Sequence, residues 1–163
     1  GLRVGWVTAG PGILERFVLA KQGADLHTST LCQMLVAAYL ERHGLDDHLA
    51  RVRQVCRERR DAMLRAVADL LPAEVEVSRP AGGLFLWLTL PEGDLDKVGA
   101  QAILQEAVKS KVVFVPGSAF YAGPSRDGRG ERSMRLNFSY CTPEMIEVGI
   151  RRLSEVVGRA LGA

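Results

Sequence analysis

Few side chains in this sequence have the type and setting to do chemistry, and arginine leads them. Arg135 sits in MRLNFSY, residues 134–140. Strict alternation puts Met134, Leu136, Phe138 and Tyr140 on one side of a strand. Arg135 then falls on the other side, beside Asn137 and Ser139. A guanidinium is a planar fork that grips a carboxylate through two hydrogen bonds. Arg135 could therefore clamp an acid, and the same pattern also fits a solvated strand face. Arg3, at the start of an apolar stretch, could meet a phosphate or water. Gly82-Gly83 and Pro116-Gly117-Ser118 are turn chemistry that could also admit a ligand to the backbone.

Other chemistries find no footing. Cys32, Cys56 and Cys141 are far apart and odd in number, which disfavours both a disulfide framework and a zinc site. His27, His43 and His48 lack metal-ligand spacing, so no metal is expected. There is no Walker loop, no GxGxxG and no Ser/His/Asp set. The arginines between 51 and 65 are interrupted by Glu58 and Asp61, without interleaved aromatics, and read as a solvated helix face. The formal net charge of +2 on 163 residues gives no strong field for nucleic acid or membrane. No apolar run approaches the roughly 20 residues of a bilayer span.

These residues need elements to hold them. Residues 3–9 have strand composition, and Gly10-Pro11-Gly12 breaks the run. Helices are predicted over 13–22, over 30–42 behind a Thr28 or Ser29 cap, and over 46–71, closed by Pro72. The texture then changes to strands at 74–78, 84–90, 112–115 and 134–140, with a helix at 95–109 and an exposed loop at 122–133. Thr142 and Pro143 open a last helix with the stripe Ile146, Ile150, Leu153, Val157 and Leu161. The expected fold is α+β. Its parts are residues 1–44, a connecting long helix at 45–72, and a compact unit at 73–163 with about four strands and two helices.

The ordered pieces GLRVGW, CRERRDAML, PAGGLFLWLTLP, VVFVPGSAFY, MRLNFSY and TPEMIEVGIRRL together resemble the C-terminal portion of the pyridoxal-phosphate-dependent aminotransferases of class I/II, fold type I. The flavour is that of the 2-aminoadipate and kynurenine aminotransferase-like branch, and the resemblance runs the whole length. Cys56 departs from it, standing where a tyrosine is common.

The resemblance implies a fold that is α/β across the family, with residues 1–44 a remnant of the large cofactor-binding domain and 73–163 the small C-terminal domain. It implies pyridoxal 5'-phosphate as cofactor, an α-amino acid and a 2-oxo acid as substrates, a cytoplasmic homodimer, and no nucleic-acid or membrane partner. Arg3 takes the role of cofactor-phosphate ligand, and Arg135 that of the substrate α-carboxylate clamp. Ser29 lies in the His27–Ser29 stretch, which is similar to a segment reaching the dimer partner's cofactor phosphate. The Schiff-base lysine is expected upstream of Gly1, since none of Lys21, Lys97, Lys109 or Lys111 has the family's context. On that expectation the chain is a C-terminal fragment, inactive alone. A different class shares this pattern: regulators that fuse a winged-helix DNA-binding domain to an aminotransferase-like domain. Trp87 and Tyr121 are further pocket candidates, with core packing the competing role for Trp87.

Overall fold

A computed structural model describes residues 1–123 and 128–162. Contacts divide it into two compact units, Gly1–Arg51 and Val52–Ala163.

The first unit is helical. Helix α1 spans Pro11–Ala24, with Gly10 as N-cap and proline in its first turn, where the missing N–H costs nothing. Helix α2 spans Thr30–Arg42, and the Ser29 hydroxyl accepts a bond from the Cys32 N–H at its start. Neither helix buries a residue. The strand expected at 3–9 does not form; residues 1–10 have no regular structure. An isolated strand leaves its ladder groups without partners, and no strand among the described residues pairs with this one. Arg3 instead adopts a left-handed backbone, φ 57°.

Helix α3, Asp46–Leu70, stops just before Pro72, as proline and the residue before it require, and buries Met63, Ala66 and Val67. Four antiparallel strands follow: β1 (Glu76–Val77), β2 (Phe85–Thr89), β3 (Val115–Pro116) and β4 (Ser133–Asn137), in the order β1-β2-β4-β3. The register sets Leu86 opposite Leu136 and Leu88 opposite Met134. These four form the inner face of the sheet, all at 5% exposure or less. They join Ile103 and Ala107 of α5 (Ala100–Lys109) and Ile146, Ile150, Leu153 and Val157 of α7 (Pro143–Leu161) in one core. Each leucine, isoleucine, valine or methionine among them contributes about 1.5–3 kcal/mol by leaving water.

Several expectations need correction. The helix expected at 95–109 is two: α4 (Leu95–Val98) and α5, separated by Gly99. Gly99 is extended, and a Cβ there would lie 2.3 Å from the Leu95 carbonyl oxygen. The strands at 74–78 and 112–115 shrink to short pairings. The stretch at 122–133 is not all loop. A one-turn helix α6 occupies Arg129–Arg132, and residues 124–127 of that expectation lie outside the described residues. Tyr140 leaves the apolar face and is 85% exposed. β4 ends at Asn137, whose side-chain oxygen accepts the Ser139 N–H at 2.6 Å. That turn stops the alternation before it reaches Tyr140.

Candidate functional site

The outer face of the sheet gathers the polar chemistry. Arg135 is the central residue of β4, directly opposite Trp87 of β2 on one side and Val115 of β3 on the other. Phe85 is two residues from Trp87 and so shares its face. A 3₁₀ turn, Gly117–Phe120, follows β3 and brings in Phe120. The Arg135 guanidinium carbon lies 4.1 Å from the Phe85 ring centre and 4.7 Å from that of Phe120. Trp87 meets Phe120 edge-on, 5.4 Å between centres.

Arg135 is half-buried, and no carboxylate among the described residues pairs with it. Its Nε is the one buried side-chain nitrogen or oxygen without a hydrogen-bond partner among the described residues. A cation partly withdrawn from water and given no anion is costly. The two rings offset part of that cost through their electron-rich faces. What the arrangement lacks, and can take, is an oxyanion.

The glycines around the site act on the backbone. A Cβ on Gly117 would meet the Gly130 carbonyl oxygen and the Ser133 side chain, each at 2.7 Å. The turn that carries Phe120 can therefore close against α6 only with glycine at its start. Gly83, at φ 85°, permits the turn before β2. Tyr121 stacks its ring over Gly130, the nearest approach for a Cβ there being 2.8 Å.

The arginine row of α3 is not wholly solvated. Arg59 donates to the Ser139 carbonyl, and Arg60 pairs with Asp61 at 2.7 Å and reaches the Ala81 carbonyl at 3.3 Å. These two brace the turns flanking β4 and β2. A groove of about 460 Å³ runs between α7 and residues 111–113. Its walls include Leu136, Met145 and Ile150, and Arg135 does not line it. This groove and the unpaired cation therefore lie apart, and the cation is the stronger marker of a site, because a partly buried charge without a partner is costly.

Arg3 and Ser29 belong to the first unit and Arg135 to the second. Arg3 is exposed, with no acidic partner among the described residues. Ser29 accepts the Cys32 N–H at the start of α2 and keeps its hydroxyl proton to donate. Phe85 and Phe120 went unmarked in the sequence. The position of Phe85, two residues before Trp87 on an alternating strand, is the only local sign of its place.

Comparison with known proteins now decides the family. The model for aminotransferase class I and II matches residues 1–153. The chain belongs to this family. Over 161 residues it is 44% identical to a 2-aminoadipate transaminase of Thermus thermophilus, which covers 99% of this chain and 37% of that protein. An aromatic-amino-acid aminotransferase of Thermococcus litoralis is 40% identical over 157 residues, 96% of this chain and 36% of its own. Among solved structures, an α-aminoadipate aminotransferase of Thermus thermophilus in complex with N-(5'-phosphopyridoxyl)-L-leucine superposes with a TM-score of 0.79 at 42% identity. That match covers 99% of this chain and 39% of the other. The chain thus spans a little over a third of the length of these relatives. Helix-turn-helix regulators of Bacillus subtilis and Staphylococcus aureus also match, each at 29% identity. The mixed architecture is that of the fold type I aminotransferases.

Proposed function

We infer that these residues serve an aminotransferase that moves an amino group between an α-amino acid and a 2-oxo acid with pyridoxal 5'-phosphate. The observation that carries this reading is Arg135: a half-buried, unpaired guanidinium at the centre of a sheet face, in a chain of the aminotransferase family. Its fork would take the carboxylate common to every α-amino acid and so orient the Cα–H bond. The cofactor, when bound, is the electron sink for charge left at Cα.

The residues present suit the cofactor's phosphate as well. Arg3 is a cation without an acidic partner among the described residues, and the Ser29 hydroxyl has a proton to give. On this reading Arg3 and Ser29 would hold phosphate oxygens. Residues 1–44 belong to the large cofactor-binding domain, 45–72 are the connecting helix and 73–163 are the small domain. A cytoplasmic homodimer, with no nucleic-acid or membrane partner, is part of the same reading.

The test is steady-state kinetics of the holoenzyme with 2-aminoadipate and aromatic amino acids as donors. Arg135→Ala should raise KM for every donor by about 30- to 1000-fold, the loss of a bidentate charge-assisted contact of roughly 2–4 kcal/mol. Arg135→Lys should restore little, because an ammonium cannot make the forked pair. An unchanged KM removes Arg135 from the role. The relatives at 29% identity support a second reading, the effector domain of a helix-turn-helix regulator. In that case Arg135 would bind an amino acid, and no 2-oxo acid product would form.

A further inference from the structure

The structure assigns Phe85 and Phe120 as positioning residues that fix the Arg135 guanidinium for end-on capture of a carboxylate through its two terminal nitrogens. This rests on the reading of Arg135 as a carboxylate clamp and adds to it the question of what aims the clamp.

An arginine side chain has several rotatable bonds, so a free guanidinium spreads over many orientations. Binding must then remove that freedom. Here two aromatic rings from separate elements meet the same guanidinium. Phe85 comes from β2 at 4.1 Å, and Phe120 comes from the 3₁₀ turn after β3 at 4.7 Å. Both distances are inside the range of cation–π attraction, about 6 Å. Trp87 supports Phe120 from the side, edge-on at 74°. The backbone of β4 is held between β2 and β3, so the stem of Arg135 is fixed at its root.

The orientation follows from which nitrogens remain reachable. Nε is buried without a partner, so a ligand does not approach along that edge. The terminal nitrogens are not among the buried unpartnered atoms, and among the described residues no hydrogen bond or ion pair occupies them. A carboxylate therefore meets the end of the fork. The rings themselves are not ordinary core. Phe85 is 37% exposed and Phe120 48%, while the inner face of the same sheet is closed. Large aromatics left half open beside an unpaired cation do more for the cation than for the core.

The test is binding of glutarate and of 3-phenylpropionate, carboxylates with no amino group to transfer, to the holoenzyme. Phe85→Leu and Phe120→Leu should each weaken both ligands by about 3- to 10-fold, the range of one cation–π contact. Phe85→Tyr and Phe120→Tyr should retain affinity within about twofold, since the ring face is kept. In an Arg135→Ala background the leucine substitutions should add nothing, because their effect passes through the guanidinium.

If Arg135→Ala weakens binding and the leucine variants do not, the positioning role is wrong and the clamp stands. If the leucine variants cost as much without Arg135 as with it, the rings touch the ligand directly and the inference fails. If Arg135→Ala leaves both affinities unchanged, or the unaltered holoenzyme binds neither acid, the clamp itself falls and the inference with it. Should a leucine variant unfold, the tyrosine variants decide: a loss of more than about threefold there overturns the proposal.

Discussion

At the scale of single residues, the two buried polar side chains among the described residues show how tightly this sheet is specified. Thr89 and Ser133 face each other across β2 and β4, 4% and 0% exposed, with their hydroxyl oxygens 3.0 Å apart. Ser133 donates its one proton to the Arg129 carbonyl at 2.6 Å. Thr89 must therefore donate to Ser133. Ser133→Ala removes that acceptor and leaves the Thr89 hydroxyl buried, at a cost of about 1–3 kcal/mol in urea unfolding. Adding Thr89→Val removes the stranded hydroxyl, so the double variant should be less destabilised than the sum of the two singles. Strict additivity would show that the pair is not coupled. Arg135 lies beside this pair on the same face and is its opposite in kind. One group is fully satisfied and closed, and the other is unpaired and available to a ligand.

At the scale of elements, α7 is set by its first turn. The Thr142 hydroxyl accepts the Met145 N–H at 3.4 Å, and Pro143 occupies the first helical position. Thr142 also lowers the pKa of Glu144 by hydrogen bonding, with a smaller push from the Glu144 backbone N–H. A lowered carboxyl contributes stability above its unfolded value, and loses it as pH falls through the folded one. Thr142→Ala should cost about 1 kcal/mol near neutral pH. The gap from the unaltered chain should be smaller in acid, below the lowered Glu144 value, where that carboxyl is protonated in both. Urea melts at the two pH values measure it, and a gap that widens in acid would contradict the assignment. Between strands, Gly117 is the element-level constraint on the site. Its close approach to α6 fixes where the turn bearing Phe120 can lie.

At the scale of the whole molecule, the core is confined to one unit. Every residue of the hydrophobic cluster falls within Val52–Ala163, from Cys56 to Leu161. α1 and α2 bury nothing, and Trp6, Phe17 and Met34 are 88%, 54% and 64% exposed. A chain of residues 52–163 should therefore unfold in one cooperative transition, with a melting temperature within about 5 °C of the 163-residue chain. Residues 1–51 alone should show no such transition by circular dichroism. A non-cooperative melt of 52–163 would place the core elsewhere. The shorter chain should also aggregate less, since it loses exposed apolar surface.

The sequence by itself determined what is local. Ser29 and Thr142-Pro143 marked the starts of α2 and α7, and Pro72 the end of α3, because caps and proline act through neighbouring backbone groups. Alternation placed Arg135 opposite the apolar face of β4, and six ordered segments carried the family resemblance. Tertiary structure decided what depends on a partner distant in sequence. Residues 3–9 have strand composition, but no strand among the described residues pairs with them, so composition alone did not make a strand. The one-turn helix α6 and the exposed Tyr140 arise from packing and from the Asn137 turn, neither of which periodicity can register. The rings on Arg135 are 50 and 15 positions away, Phe85 and Phe120 counted from Arg135. Only the register of β2 and β4 and the closure of the Gly117 turn bring them to one guanidinium. An arginine on a strand becomes a candidate clamp when the sheet half-buries it and supplies no anion, and that balance exists only in the folded chain.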